Sequence, residues 1–233
     1  MIPKILLATA YIEQPSTKKN LKFRPFLVKE EKVLLMAKES GVFQDIMIVI
    51  KDIVQACCLE SNFNVNDITL FDLEYFFIKL RAISISNIER FSSVDNDDNI
   101  TYNHIINFNE VEVDFPEKVS NKIEVTKDLT LVLKYPTVSI FDEKDLETIF
   151  KKEGIHYLIL HCIDKVFEHD SLIRLTQEEK AEFLGNLDVK TYNKLKDFLQ
   201  STPKIDHKVY WTNSLGIKKF WQFSSIKDFF LFL

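Results

Sequence analysis

Residues 69–85 read TLFDLEYFFIKLRAISI, and this stretch constrains the fold more than any other. Thr69 followed three positions later by Asp72 predicts an N-cap with an acidic first turn, close to a capping box. Beyond it, Phe71, Tyr75, Ile78, Leu80 and Ile83 lie on or near one wide helical face, while Leu73, Phe76 and Phe77 fill much of the rest. A helix that is apolar nearly all round has to be covered on several sides. The remaining elements must therefore be disposed around it.

The segments before it supply candidates. Residues 5–12 read as a strand, 13–20 as a polar turn and 21–24 as a second strand, which together make a hairpin. Pro25 ends that strand, because it has no amide donor and holds Arg24 extended. A helix follows from Val28 to a stop at Gly41. Its apolar side, within 33–37, is expected to be buried, which leaves Arg24, Lys29, Glu30 and Lys32 as the exposed part. Residues 42–59 form a second helix with a broad apolar face.

After the central helix the character changes. Strands at 88–91, 100–108 and 111–115 surround the polar segment SSVDNDDN, giving a small β-ribbon. Residues 122–135 add a hairpin. Helices are then expected at 145–152, with Asp142 as a candidate cap, and at 155–167 after Gly154. Residues 168–176 read as a polar connection. Thr176 with Glu179 caps a helix at 177–185, and Asp188 starts another carrying Tyr192, Leu195, Phe198 and Leu199. Residues 207–211 and 217–223 form a last hairpin, and IKDFFLFL ends the chain as a short helix or docked tail. The fold class is α+β: a mainly helical core with an N-terminal β-hairpin, a central small antiparallel β-region and a C-terminal β-hairpin. Three regions are expected, at 1–90, 91–136 and 137–233, which can also form one continuous domain.

Chemistry is harder to place. Four glycines in 233 residues leave almost no scope for a glycine-rich phosphate loop. The chain contains no GxSxG, P-loop or HExxH pattern. Cys57, Cys58 and Cys162 lack CxxC spacing and sit in apolar runs, where small buried hydrophobes are expected. His156 and His161, with Cys162, His169 and Asp170, are the best metal candidates. A spacing of five does not align the two histidines on one helix face, so structural histidines are the simpler reading. Asp95, Asp97 and Asp98 resemble a calcium loop without its central glycine and downstream glutamate, which leaves a solvated turn.

No catalytic residue, metal site or cofactor is assigned. The net charge of −5 argues against sequence-independent nucleic-acid binding. The basic residues Lys18, Lys19, Lys22, Arg24 and Lys29 keep a nucleic-acid module as an alternative, alongside a metal-dependent protein. No window reaches the length of a membrane span, and the N-terminal apolar run makes a poor signal peptide. The terminal Phe229, Phe230 and Phe232 either fold onto the core or dock into a partner, since an apolar chain end is costly when exposed.

Several ordered segments together resemble one family. They are KFRPFLVKEEKVLLMAKESG at 22–41, DLEYFFIKLRAISI at 72–85, NEVEVDF at 109–115 and LTLVLKYPT at 129–137. The C-terminal half adds LILHCIDKVFEHD, FLGNL, KLKDFLQSTPKIDHKVYWTNSLG and IKDFF. The chain resembles the baseplate protein family of T-even-type contractile-tail bacteriophages, which includes hub subunits and hub assembly factors. Some members of that family carry cysteine pairs before the VEVDF strand. Residues 90–115 have none here, so a metal knuckle is not implied.

The resemblance implies a non-enzymatic protein of tail morphogenesis that binds other baseplate hub and tail proteins, with a homo-oligomer also open. It would act in the host cytoplasm during assembly, or remain in the virion as part of the baseplate. Partner contact is expected at Arg24, Lys29, Glu30 and Lys32, and at Phe229, Phe230 and Phe232.

Overall fold

The structure is a computed structural model and describes residues 6–117, 119–143 and 146–229. Strands β1 (Ala10–Glu13) and β2 (Asn20–Phe23) pair antiparallel, with Ala10 opposite Phe23. Helix α1 (Val28–Ser40) starts where the Glu30 carboxylate accepts the Leu27 amide at 2.6 Å, and it stops at Gly41, whose φ of 69° suits glycine. Helix α2 (Phe43–Cys57) buries Ile46, Met47, Ile50, Ile53 and Val54.

Helix α3 (Leu70–Ser84) begins as its sequence predicts: Thr69 Oγ1 accepts the Asp72 amide, and the Asp72 carboxylate accepts the Thr69 amide, both at 3.3 Å. Phe71, Leu73, Phe76, Phe77, Ile78 and Leu80 are all buried, so the helix is covered on several sides. Phe23 from β2 is fully buried against Phe76, with ring centroids 5.0 Å apart.

Strands β3 (Ile88–Val94) and β4 (Thr101–Asn107) form the expected ribbon, with Phe91 opposite His104. A 3-10 turn over 108–110 leads to β5 (Val113–Asp114). The Lys79 ammonium of α3 donates to the carbonyls of Phe108, Asn109 and Val111 at 2.8–3.0 Å, which fixes this turn against the helix.

Strands β6 (Lys122–Glu124) and β7 (Leu129–Leu133) pair as a hairpin. A 3-10 turn spans Val138–Asp142, so Asp142 ends a turn, and α4 (Leu146–Glu153) follows. Helix α5 (Ile155–Cys162) is shorter than the sequence suggests. Residues expected to continue it form β8 (Ile163–Glu168), and the expected connection contains β9 (Ser171–Ile173). β8 pairs with β7, placing Leu131 opposite Val166, and the sheet runs β6-β7-β8-β9. The apolar run IHYLILHCIDKVF does not itself separate helix from strand. The free edge of β7 decides, because its backbone groups need partners.

Helices α6 (Gln177–Gly185) and α7 (Val189–Gln200) carry the expected caps, with Thr176 accepting the Glu179 amide and Asp188 the Thr191 amide. Leu131, Ile159, Cys162, Leu195 and Phe198 form one apolar core. Last come β10 (Lys204–Ile205), β11 (His207–Thr212), β12 (Lys218–Phe223) and α8 (Ile226–Phe229). β10 pairs with β5, and β11 with β12.

Among the described residues, 6–114 and 204–229 make one unit and 115–203 a second. The first is discontinuous in sequence. In it Ile78, Ile106, Phe108, Ile205, Phe223 and Phe229 share a core.

Candidate interaction surfaces

The charges singled out near α1 divide into two sets. Arg24 and Glu30 face each other in a two-bond pair, Nη1 to Oε2 at 2.9 Å and Nη2 to Oε1 at 2.8 Å. Their side chains retain only 17% and 11% of their exposure, so the expectation that both are exposed fails. The cause is geometric. Pro25 turns the chain so that Arg24 comes back over the first turn of α1, where Glu30 is already committed to the Leu27 amide. Arg24 also donates to the Pro25 carbonyl at 2.9 Å and to the Cys57 thiol at 3.4 Å. The hydrogen bond from Arg24 holds the Glu30 carboxyl below its usual range against the opposing effect of burial. Burial pushes the Cys57 thiol up to about 12, so it stays a neutral core group. This pair therefore joins β2, α1 and α2.

Lys29 and Lys32 are exposed. So are Val28, Val33, Leu35 and Met36; within 33–37 only Leu34 and Ala37 are buried. The expected burial of this segment's apolar side is thus only half right. Only Leu34 and Ala37, about one turn apart, are buried on α1, so the helix carries more apolar residues than its covered face takes.

The C-terminal aromatic run also divides. Phe229 is buried, with ring centroids 6.0 Å from Phe108 and 5.4 Å from Phe223. Phe230 and Phe232 lie outside the described residues. Ile226 N approaches Glu74 Oε1 of α3 at 3.5 Å, and burial, reinforced by the nearby Asp228 charge, raises the Glu74 carboxyl to about 7.

The acidic turn between β3 and β4 is more than a solvated loop. The Asp95 side chain is enclosed and accepts Lys219 Nζ at 2.6 Å and the Asp97 amide at 2.8 Å. Lys219 also pairs with Asp97 at 2.7 Å. Asp98 Oδ2 accepts Tyr102 Oη at 2.7 Å, Ser214 Oγ at 2.8 Å and the Ser214 amide at 3.0 Å. The lysine hydrogen bond lowers the Asp95 carboxyl. Burial would raise Asp98, but hydrogen bonds from Tyr102, the Ile100 amide and Ser214 outweigh it and hold it well below the carboxylate range. Behind this clamp the Trp211 and Trp221 rings stack at 6.3 Å, and Ser93 Oγ links His104 Nε2 at 2.8 Å to Trp221 Nε1 at 3.1 Å. The sequence separates these hairpins by more than a hundred residues, and no local signal joins them.

The clamp leaves the other face of β11–β12 outward. Strand alternation puts Lys208, Tyr210 and Thr212 there beside Gln222, Phe220 and Lys218, their cross-strand partners. Tyr210 is 70% and Phe220 50% exposed, and their rings lie 5.8 Å apart. The Lys208 ammonium sits 5.6 Å from the Phe220 ring centroid. This surface is a second candidate, absent from the sequence reading. KVYWT and KKFWQF place aromatics on both faces of a two-stranded ribbon, and only one face can be covered.

Against known proteins, the family model described as T4 bacteriophage base plate protein matches residues 8–231. The chain belongs to this family. No curated protein and no solved structure gives a significant match. In this baseplate protein the histidines considered as metal ligands have separate partners. His156 Nδ1 meets Tyr192 Oη at 3.2 Å, His161 Nδ1 meets the Tyr157 carbonyl at 2.9 Å, and His169 Nε2 meets Asp128 at 3.3 Å. Among the described residues no group of three or more His, Cys, Asp or Glu side chains could hold a metal ion. In the N-terminal basic cluster, Lys18 pairs with Glu13 at 3.3 Å. No helix among the described residues is long and apolar enough to cross a membrane.

Proposed function

We propose that this baseplate protein serves the central hub, as a hub subunit or hub assembly factor, and works by binding other tail proteins rather than by catalysis. The observation that carries this reading is the Tyr210–Phe220 pair. Two aromatic side chains stand in solvent on a hairpin whose position is fixed by the Asp95–Lys219 and Asp98–Ser214 contacts. Aromatic anchors on a preorganised support lose little freedom on binding, and Tyr is enriched among residues that dominate interfaces. Lys218 flanks them and favours an acidic contact on the hub protein, whereas Lys208 is already paired with Asp206 at 3.3 Å. On α1, Lys29 and Lys32 remain available for contact, whereas Arg24 and Glu30 support the helix start and act only through it.

Co-expression with the hub proteins and capture of the complex tests this. Wild type is expected to co-purify with a hub protein, and Tyr210→Ala with Phe220→Ala to lose at least tenfold in capture with an unchanged circular dichroism spectrum. Failure to bind any tail protein overturns the reading. Mass spectrometry of purified virions then separates its two forms. A subunit is present in the baseplate, whereas an assembly factor acts in the host cytoplasm and is absent from particles.

A further inference from the structure

We propose that the outward face of α1 is a self-association surface, on which a second copy of this chain packs its own α1 antiparallel about a two-fold axis. This does not rest on the hub reading and goes beyond it.

The face has a particular order. Val28 and Leu35 are seven residues apart, as are Lys32 and Glu39, and at about 100° per residue the Lys32–Glu39 row runs between Leu35 on one side and Met36 on the other. Seven residues are close to two turns, so each pair lies on one stripe with its members about 10 Å apart along the axis. Val28, Leu35 and Met36 are 81%, 41% and 59% exposed. Lys32 and Glu39 are exposed too, and neither makes an ion pair among the described residues.

Charge order decides the occupant. A two-fold axis passing between Leu35 and Met36 sets Lys32 of each copy against Glu39 of the other. It brings the two Leu35–Met36 pairs together at the centre. A parallel arrangement would set lysine against lysine and glutamate against glutamate, and like charges oppose it. A wholly acidic partner would satisfy Lys32 and be repelled by Glu39. The pattern is complementary to itself when reversed, which is the requirement of an isologous contact. This register sets Val28 against position 43, beyond the helix end at Ser40, so the shared length is residues 31–40, about 15 Å; the contact is at the small end of specific interfaces and its occupancy depends on concentration.

The test is sedimentation of the purified full chain, without any tail protein, over roughly 1–300 µM. Wild type is expected to shift from monomer to dimer with rising concentration, and less so at high salt. Met36→Glu, Lys32→Glu and Glu39→Lys should each weaken association at least tenfold while leaving the circular dichroism spectrum unchanged. The double reversal Lys32→Glu with Glu39→Lys should recover it, because the pairs re-form with signs exchanged. A wild type monomeric throughout, a dimer indifferent to Met36→Glu, or a double reversal no better than either single change would each overturn the proposal. Hub capture by Tyr210 and Phe220 is read separately, so either idea can fail alone.

Discussion

In the unit made of 6–114 and 204–229, carboxylates reach across long stretches of chain. Asp72 holds the β1–β2 turn through Gln14 Nε2 and the Ser16 amide, both at 2.9 Å, and Asp95 and Asp98 hold the β11–β12 turn. In 115–203 the strands β6 to β9 follow one another as neighbours, and the core of Leu131, Ile159, Leu195 and Phe198 sits beneath them. A continuous segment can close its core through short loops, at modest entropic cost each. A discontinuous one must bring distant pieces into a single register, and apolar burial, being non-directional, does not choose that register. Charged hydrogen bonds do, because each has one geometry. The difference is therefore between a unit fixed by directed polar contacts on top of its core and a unit fixed by order in sequence.

Four experiments can break or sharpen that contrast. The largest effects should be shared by both units, since both need their cores. Phe76→Ala and Phe198→Ala each remove a side chain at or near complete burial, and each should cost about 3–5 kcal/mol in urea unfolding. A much smaller loss at Phe76 would mean that the polar contacts outweigh the core in the first unit.

Next is Asp72→Ala. It strips the partner from Gln14, the Ser16 amide, the Ser16 hydroxyl and the Thr69 amide together, and should cost about 2–3 kcal/mol. The matching change in the other unit, Asp188→Ala, removes a local cap over Thr191 and should cost clearly less than Asp72→Ala. Equal losses would erase the distinction.

Glu74→Gln should act in the opposite sense. The folded carboxyl is raised to about 7, so the neutral form suits the native state; its contribution is complete below the ordinary value of 4.5 and fades as pH rises through about 7. The glutamine variant should therefore be more stable than wild type at pH 8, by about 1 kcal/mol, and equal to it at pH 4. Glu74 is only half-buried by surface exposure, which keeps the figure at the low end. Urea midpoints at the two pH values give the answer.

The smallest change is spectroscopic. Asp95 and Asp98 are depressed in the fold, so their stabilisation is fully present above the ordinary value of 3.8 and is lost as pH falls through the lower folded values. Both tryptophans of the chain, Trp211 and Trp221, stand at this clamp. Their emission should shift in acid at a higher pH in Asp98→Asn than in wild type. Coincident acid transitions would show that the clamp does not govern the hairpin.

These contrasts also explain what could be read in advance. Thr69 with Asp72, Thr176 with Glu179, and Asp188 are written within four residues of the helices they start, so the caps and most helices were legible. The α+β mixture with hairpins at both ends follows from the same local punctuation. Long-range choices were not legible. Nothing near Asp72 announces Ser16, and nothing near Asp95 announces Lys219. The residues of β8 carry a helical pattern, and their strand character comes from pairing with β7. The same blindness affected the candidate site. Arg24 and Glu30 looked like free surface charges because the turn that brings them together is not a helical spacing. Tyr210 and Phe220 carry no signal in the sequence, because exposure depends on which face of the hairpin the rest of the fold covers.

The discontinuity of the first unit has a consequence for how the protein is made. Residues 6–114 leave the ribosome before the segment that completes their unit has been translated. At ordinary elongation rates the interval between Asp95 and Lys219 is on the order of ten seconds. Throughout it the β3–β4 ribbon stands without its counterpart, and the pocket for Phe229 in the core around Phe108 has no occupant. Folding of this unit is thus finished by residues 204–229, which are translated only after the whole of the second unit.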